Sequence, residues 1–134
     1  MKLTRSRGFT LIEIMIVVAI VGLVASIGVP NYLRSRKRAQ STRMLDDLRL
    51  IDNAMDRYAI DNSKSPGDPA RWDDLQPYLK TNIVLYNSLG IDLLGNPIND
   101  GPIFLVDSIP KVNSASFATL SDVAPGDFWS PYSP

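Results

Sequence analysis

The 134-residue sequence contains no cysteine and no histidine. Without cysteine, no disulfide can brace the fold, and thiol nucleophiles and thiolate metal sites are excluded. Without histidine, the chain lacks the commonest general base near neutral pH and the commonest metal ligand. We therefore predict that the protein is not an enzyme and needs no cofactor. A membrane-anchored enzyme or binding protein remains an alternative.

Glutamate is nearly absent as well, because Glu13 is the single glutamate and the other 13 acidic residues are aspartates. Every aspartate lies beyond position 45, whereas eight of the 14 basic residues lie at or before Arg43. The formal net charge of zero thus conceals a basic N-terminal part and an acidic C-terminal part. This asymmetry indicates one end in a membrane and the other end in water.

The segment from Phe9 to Val29 is apolar apart from Glu13. A helix of this length spans about 32 Å, enough to cross a hydrocarbon core of about 30 Å. A cleaved secretory signal has a shorter apolar core, and a plain signal anchor gives Glu13 and Gly8 no role. A lone carboxylate in such a segment costs about 2.5–3.5 kcal/mol on insertion scales, so we expect it to have a partner.

Residues 2–13, KLTRSRGFTLIE, resemble the class III signal sequences of type IV pilins and type II secretion pseudopilins. The resemblance is close over about the first 35 residues and looser over the next 30. It rests on a Gly-Phe junction and on a glutamate at the fifth residue after the junction's glycine. The residues that carry it are the basic leader residues Lys2, Arg5 and Arg7, the junction Gly8-Phe9, Glu13, and a helix-loosening glycine and proline, Gly22 and Pro30.

The resemblance implies a processing step and a destination. A membrane prepilin peptidase would cut between Gly8 and Phe9 on the cytoplasmic side and would methylate the new α-amine of Phe9. The mature protein would cross the inner membrane once, with its C-terminal head in the periplasm, and would then enter an extracytoplasmic filament. Its partners would be the peptidase, identical or homologous subunits, the inner-membrane assembly platform and the lipid bilayer. No nucleic acid is expected, because no aromatic residues interleave with the basic ones.

Glu13, Gly22 and Pro30 are the residues predicted to act in assembly. In a filament, Glu13 would pair with the α-amine of Phe9 on a neighbouring copy, because paired charges attract strongly in a low dielectric. The alternative is that Glu13 reaches the cytoplasmic headgroups. Gly22 and Pro30 weaken the helix, which predicts either a slight kink or, as the family implies, a stretch that unwinds when subunits pack.

Beyond Pro30, apolar residues recur at steps of four and three, which predicts one continuous helix to about Asp61-Asn62. The stripe consists of Met44, Leu48, Ile51, Met55 and Tyr58, widened by Ala54. The same helix carries a basic band followed by an acidic band: Arg34, Arg36, Lys37, Arg38 and Arg43, then Asp46, Asp47, Asp52, Asp56 and Asp61. The basic band either faces headgroups or meets the acidic band of an axially offset neighbour.

The sequence patterns that predict secondary structure are weaker in the C-terminal head. Residues 63–69 have the composition of a loop, and Asp73–Gln76 suits a capping box that opens a short helix. Residues 82–89 fit irregular chain or a short strand, and residues 102–107 are the best strand candidate. The predicted buried residues are Trp72, Leu75 and Leu79 in the short helix, with the aromatic residues of 127–132 closing the core.

The run Asp92-Leu93-Leu94-Gly95-Asn96-Pro97 resembles the D-x-x-G-N-P turn of the major type II secretion pseudopilin. Related pseudopilins bind calcium in a C-terminal loop, which makes Asp92, Asn96, Asn99 and Asp100 candidate ligands. Turns rich in Asp and Asn also form without a metal, so this alternative stays open.

We therefore predict an α+β, type IV pilin-like fold. One long N-terminal helix, whose first half spans the membrane, packs on a small head with a short β-sheet. The predicted boundaries are 1–8 for the cleaved leader, 9–29 for the membrane and assembly helix, 30–62 for its outer half, and 63–134 for the head. The predicted function is a structural subunit of a type II secretion pseudopilus, with a major or minor type IV pilin of a surface pilus as the alternative.

Overall fold

The computed structural model describes residues 8–134, so Lys2, Arg5 and Arg7 of the predicted leader lie outside the described residues. The first helix, α1, runs from Leu11 to Asp61 and contains Pro30. The predicted long helix is confirmed. The described residues divide into two compact units, of which the first ends at Ser35 and the second runs from Arg36 to Pro134, and α1 begins in the first and ends in the second.

The region after α1 is a small mixed structure, as predicted. Two short strands pair antiparallel in one sheet, with Ala70 opposite Phe104, and both of these side chains are buried. The strands and helices are β1 (Pro69–Arg71), α2 (Trp72–Leu75), β2 (Ile103–Leu105), α3 (Ser114–Leu120) and α4 (Gly126–Trp129). Single-turn 3₁₀ helices span Gln76–Tyr78, Val84–Asn87 and Ile98–Asp100.

The core of the second unit forms around the apolar stripe of α1. All five residues of the predicted stripe are buried, as is Ala54. Leu45 and Ser41 are buried beside them, and neither was predicted. Across from the stripe lie the predicted Trp72, Leu75 and Leu79, together with Phe104, in one continuous cluster. The stripe therefore serves as the packing face for the C-terminal region.

The end of α1 is fixed by its last turn. The amide of Lys64 donates to the carbonyl of Ala59 at 2.9 Å, and the amide of Ser63 donates to the carbonyl of Ile60 at 3.4 Å. Ser63 itself has a φ of 49°. This is a Schellman motif with serine in the left-handed position that glycine usually occupies.

Three local expectations differ from the structure. Residues 82–89 contain a 3₁₀ helix that buries Leu85, not a strand. The predicted loop 63–69 is shorter than expected, because Pro69 already belongs to β1. The antiparallel pairing also extends back to Gly67, whose amide donates to the carbonyl of Val106 at 2.8 Å. The short helix α2 begins at Trp72, and Asp74, not Asp73, accepts the amide of Arg71 at 2.9 Å.

The C-terminus closes the core as predicted. Trp129 is fully buried, and its indole N–H donates to the carbonyl of Ala124 at 3.0 Å. The amide of Val112 donates to the carbonyl of Tyr132 at 2.9 Å. The hydroxyl of Tyr132 donates to Asp52 Oδ2 at 3.2 Å, which connects the C-terminus to α1.

Candidate membrane and assembly segment

The start of α1 is built by Thr10 and Glu13. Residues 8–10 have no regular secondary structure, and Thr10 is the residue before the helix. The amide and the hydroxyl of Thr10 both donate to Glu13 Oε2 at 2.9 Å, and the amide of Glu13 donates back to Thr10 Oγ1 at 3.3 Å. This is a reciprocal capping box. This capping box was not predicted, although the T-x-x-E spacing of Thr10 and Glu13 is a local sequence signal for it.

The capping box gives the lone glutamate a partner within its own chain. One carboxylate oxygen, Oε2, accepts both bonds from Thr10. The observed local cap is therefore separate from the pairing with a neighbouring copy that the sequence predicts for Glu13. A carboxylate near a helix N-terminus is also favoured by the helix dipole.

The apolar residues of the first unit are exposed along their whole length. Phe9 is 81% exposed and Leu11 78%, and the same holds for residues as far along α1 as Leu33 at 50%. Within residues 8–134, α1 is the one helix long and apolar enough to cross a membrane. A continuous apolar surface of this kind marks a membrane or protein contact.

Gly22, Gly28 and Pro30 lie within the helical part of the first unit. A side chain added at Gly22 or Gly28 would meet nothing within 4 Å. Pro30 has no N–H, so the carbonyl of Ser26 loses its usual helical donor. The hydroxyl of Ser26 donates to the carbonyl of Leu23 at 2.7 Å, a contact that tends to bend helices. The structure keeps this stretch helical, and its backbone support is weaker than elsewhere in α1.

Within the described residues, some charged side chains of the two bands in α1 form ion pairs and others do not. Lys37 Nζ lies 3.1 Å from Asp122 Oδ1, and Arg49 lies 3.1 Å from Asp46. These are the two ion pairs in the part of the chain that the structure describes, so Arg36, Arg38 and Arg43 have no ion pair there. The pairing of Lys37 was not predicted, because its partner lies 85 residues away in the sequence.

Two carboxylates of α1 sit against the C-terminal region. Asp47 and Asp52 are each half-buried. Burial raises the pKa of Asp47, against the opposing effect of Arg43. Burial likewise raises the pKa of Asp52, and the hydrogen bond from Tyr132 partly offsets this. Burial and the nearby Asp52 raise the pKa of the Tyr132 hydroxyl in turn.

The four candidate calcium ligands serve as hydrogen-bonding groups. Asp92 Oδ1 accepts the amides of Leu94 and Asn96 at 2.8 and 2.9 Å, and its other oxygen accepts the hydroxyl of Ser116. The side-chain amide of Asn96 donates to that same hydroxyl at 2.8 Å. This network holds the turn 92–97 against α3, and the buried Ser116 at its centre was not predicted.

Asn99 and Asp100 belong to a second network. Asn99 accepts the amide of Lys111 at 3.1 Å and donates to the carbonyl of Ile103 at 3.2 Å. Asp100 accepts the hydroxyl and the amide of Ser114 at 2.6 and 3.0 Å, and these bonds lower its pKa. Residues 8–134 contain no cluster of three or more carboxylates suited to a metal ion. The calcium prediction therefore gains no support from this geometry.

Comparison with known proteins agrees with the geometry of the N-terminal segment. Residues 3–29 match a family model described as the prokaryotic N-terminal methylation motif. The type II secretion system core protein G of Klebsiella pneumoniae is 44% identical over 62 residues, covering 46% of this chain and 44% of that protein. The protein of the same name from Vibrio cholerae is 42% identical over 65 residues, covering 48% of this chain and 44% of that protein.

A third relative is a type IV major pilin. The protein PilA of Myxococcus xanthus is 41% identical over 54 residues, covering 40% of this chain and 24% of that protein. No solved structure matches the chain. The matched part spans less than half the length of each of these relatives. The chain therefore carries the prokaryotic N-terminal methylation motif and is homologous, over about half of its length, to type II secretion system core protein G.

Proposed function

We propose that this chain is a structural subunit of a type II secretion pseudopilus, and not an enzyme. The observation that carries the proposal is the methylation motif over residues 3–29, which includes most of the exposed apolar part of α1. Identity of about 40% to proteins named type II secretion system core protein G supports the same conclusion.

Processing would occur between Gly8 and Phe9. Both residues lie ahead of α1 in chain without regular structure, and Gly8 has no side chain to obstruct a protease cleft. A prepilin peptidase would hydrolyse this bond and then transfer a methyl group to the new α-amine of Phe9. The leader residues Lys2, Arg5 and Arg7 would lie on the cytoplasmic side.

The mature subunit would reside in the inner membrane before it enters the filament. The apolar residues of 9–29 would contact lipid first and the helices of neighbouring subunits later, which accounts for their exposure. Glu13 would pair with the α-amine of a neighbouring Phe9, and the stretch from Gly22 to Pro30 would adapt as the helices pack. The outer half of α1 and residues 63–134 would lie outside the cytoplasm, with the peptidase and an inner-membrane assembly platform as partners.

A subunit of a surface type IV pilus is the second candidate. The similarity to the major pilin of Myxococcus xanthus favours it, although the match covers 24% of that protein. Both candidates share the same N-terminal processing and the same helix-driven polymerisation. They differ in what the filament does at the cell envelope.

Two measurements test the proposal. Mass spectrometry of the chain produced with a prepilin peptidase should give a polypeptide that starts at Phe9 and carries one methyl group on its α-amine. Complementation of a strain that lacks core protein G should restore secretion, with short periplasmic filaments. An intact Met1 would refute the processing step, and surface filaments without restored secretion would favour the pilus.

A further inference from the structure

Three exposed arginines lie on α1 just beyond its apolar segment, and none of them forms an ion pair within residues 8–134. They are Arg34, Arg36 and Arg38, and we call them the arginine collar. The lysine among them differs, because Lys37 is half-buried and is bound to Asp122. The sequence has no acidic residue between Glu13 and Asp46. The collar is therefore a local excess of positive charge on α1.

The collar lies close to the lipid headgroups when residues 9–29 cross a bilayer. At 1.5 Å per residue, Arg34 is about 7.5 Å and Arg38 about 13.5 Å beyond Val29. The headgroup layer extends about 5–8 Å from each face of the hydrocarbon core. Side chains of an α-helix lean towards its N-terminus, and in α1 that direction leads back to the membrane. The long arginine side chains therefore reach towards the headgroup phosphates.

Neighbouring arginines of the collar lie on different sides of α1. Residues two apart are about 200° apart around an α-helix, whereas residues four apart are about 40° apart. Arg36 therefore lies almost opposite Arg34 and Arg38. A protein partner on one side of the helix cannot contact all three, but headgroups surround a helix that crosses a membrane. Tyr32, which is 68% exposed and precedes the collar, belongs to a residue type enriched at the membrane–water interface.

We infer that the arginine collar binds the phosphate groups of anionic lipids in the leaflet next to Val29. A guanidinium group binds phosphate oxygens through two parallel hydrogen bonds, and each cation near an anionic membrane surface strengthens binding about fivefold. Lys37 takes no part, because its ammonium group is bound to Asp122. Arg43, about 21 Å beyond Val29, lies outside the headgroup layer. The inference goes beyond the proposed function and takes from it only that α1 crosses a membrane.

Reconstitution of the full chain into phosphatidylcholine vesicles measures this contact. The quantity measured is the preference of the protein for spin-labelled phosphatidylglycerol over spin-labelled phosphatidylcholine. The wild type should prefer phosphatidylglycerol severalfold, and Arg34→Gln/Arg36→Gln/Arg38→Gln should lose most of this preference. Glutamine and arginine have similar helix propensities, so the variant keeps α1 helical. The basic residues before Gly8 are present in both chains and cancel in the comparison.

The matched control removes three exposed arginines farther along α1. Arg43→Gln/Arg49→Gln/Arg57→Gln has the same net charge as the collar variant, but its positions lie about 21–42 Å beyond Val29. This control should keep the wild-type preference. Inorganic phosphate should reduce the wild-type preference no more than chloride does at the same ionic strength, because the ligand is a lipid surface and salt acts on it only by screening.

The absence of cysteine allows the depth of the collar to be measured as well. Ser35→Cys lies within the collar, and Thr42→Cys lies about 10 Å farther along the same side of α1. Both positions are exposed. In vesicles that contain phosphatidylglycerol, a nitroxide label at position 35 should be protected from a water-soluble paramagnetic reagent, and a label at position 42 should be accessible. Equal accessibility of the two labels would contradict the inferred contact.

The unfavourable outcomes separate this inference from the proposed function. An equal preference in the wild type and the collar variant overturns the inference, and so does an equal loss in the control, which indicates an effect of net charge alone. Competition specific to inorganic phosphate assigns the collar to a free anion and also overturns it. These results leave the proposed function standing. A chain that shows the preference but keeps Met1 in the presence of a prepilin peptidase contradicts the proposed processing and leaves the lipid contact intact, whereas a chain that does not insert into vesicles overturns both.

Discussion

Lys37 in α1 binds Asp122, which follows α3, with its Nζ 3.1 Å from both carboxylate oxygens. The same ammonium group donates to the carbonyl of Thr119 at 3.2 Å. Thr119 lies in the last turn of α3, where carbonyls lack helical partners and a cation is favoured. This single side chain thus connects the start of the second unit to its C-terminal part.

We predict that Lys37→Gln lowers the free energy of unfolding by about 0.5–1 kcal/mol, measured by urea titration in detergent. The expected loss is small because the two side chains are 38% and 50% exposed, and exposed ion pairs contribute little to stability. Arg38→Gln is the control, since Arg38 is exposed and has no ion pair in residues 8–134. Equal losses in the two variants would contradict a specific role for Lys37, as would a loss that salt does not reduce.

We predict that aspartate at position 47 makes the protein less stable at neutral pH than asparagine at the same position would. Burial raises its pKa above the ordinary 3.8, so the folded state holds the proton more tightly than the unfolded chain. The stabilisation from protonated Asp47 is complete below about pH 3.8 and is lost as the pH rises through the folded-state pKa. Asp47→Asn should therefore be more stable than wild type at pH 7 and equal to it at pH 3. A difference that does not change with pH would contradict this.

Replacing Asp100 with asparagine should change stability at neutral pH in the opposite direction from replacing Asp47. The hydroxyl and the amide of Ser114 lower its pKa, so the ionised form favours the folded state. This stability is present above the unfolded-state pKa and is lost as pH falls through the folded-state pKa. Asp100→Asn should destabilise the protein at pH 7, and the difference from wild type should shrink towards pH 3. The same titration of unfolding against pH measures both variants, and parallel curves for Asp47→Asn and Asp100→Asn would rule out these assignments.

Replacing Ser63 with glycine should make the folded protein more stable. Its φ of 49° lies in the left-handed region, which costs an L-residue roughly 1–2 kcal/mol that glycine does not incur. We expect Ser63→Gly to raise the free energy of unfolding by about 0.5–1 kcal/mol, because the Schellman bonds do not involve the side chain. Ser65→Gly is the control and should not stabilise, because glycine there only adds flexibility to the unfolded chain.

The sequence predicted the elements whose pattern is long or repeated. The length of α1 followed from an apolar segment joined to a stripe with helical period, and all five residues of the stripe are buried. Short elements were less predictable. Pro69 and Gly67 suggested a loop, yet the backbone between them pairs with the strand that contains Phe104.

The contacts that tie distant parts of the chain together were not predictable. Lys37 belonged to a band of five similar cations, and only its position facing the C-terminal region selects it for Asp122. Ser116 gave no signal, because its role depends on Asp92 and Asn96 approaching it from a separate turn. Thr10 was different, since its capping-box spacing with Glu13 is local and readable from the sequence alone.

Glu13 allows the local role and the assembly role to be separated. Glutamine at this position supports the same capping box with Thr10 but carries no charge. Loss of an N-cap costs about 1 kcal/mol, whereas removing one member of a buried charge pair costs about 3–5 kcal/mol. Glu13→Gln should therefore prevent filament assembly while membrane insertion, measured by fractionation, stays intact.

Thr10→Val provides the matched comparison, because it removes the hydroxyl of the cap and leaves the carboxylate charged. It should insert normally and should reduce filament yield far less than Glu13→Gln. The opposite order, with normal filaments from Glu13→Gln and a defect in Thr10→Val, would mean that the carboxylate acts only as a helix cap. The α-amine of a neighbouring Phe9 would then need another partner, and the pairing proposed for Glu13 would have to be abandoned.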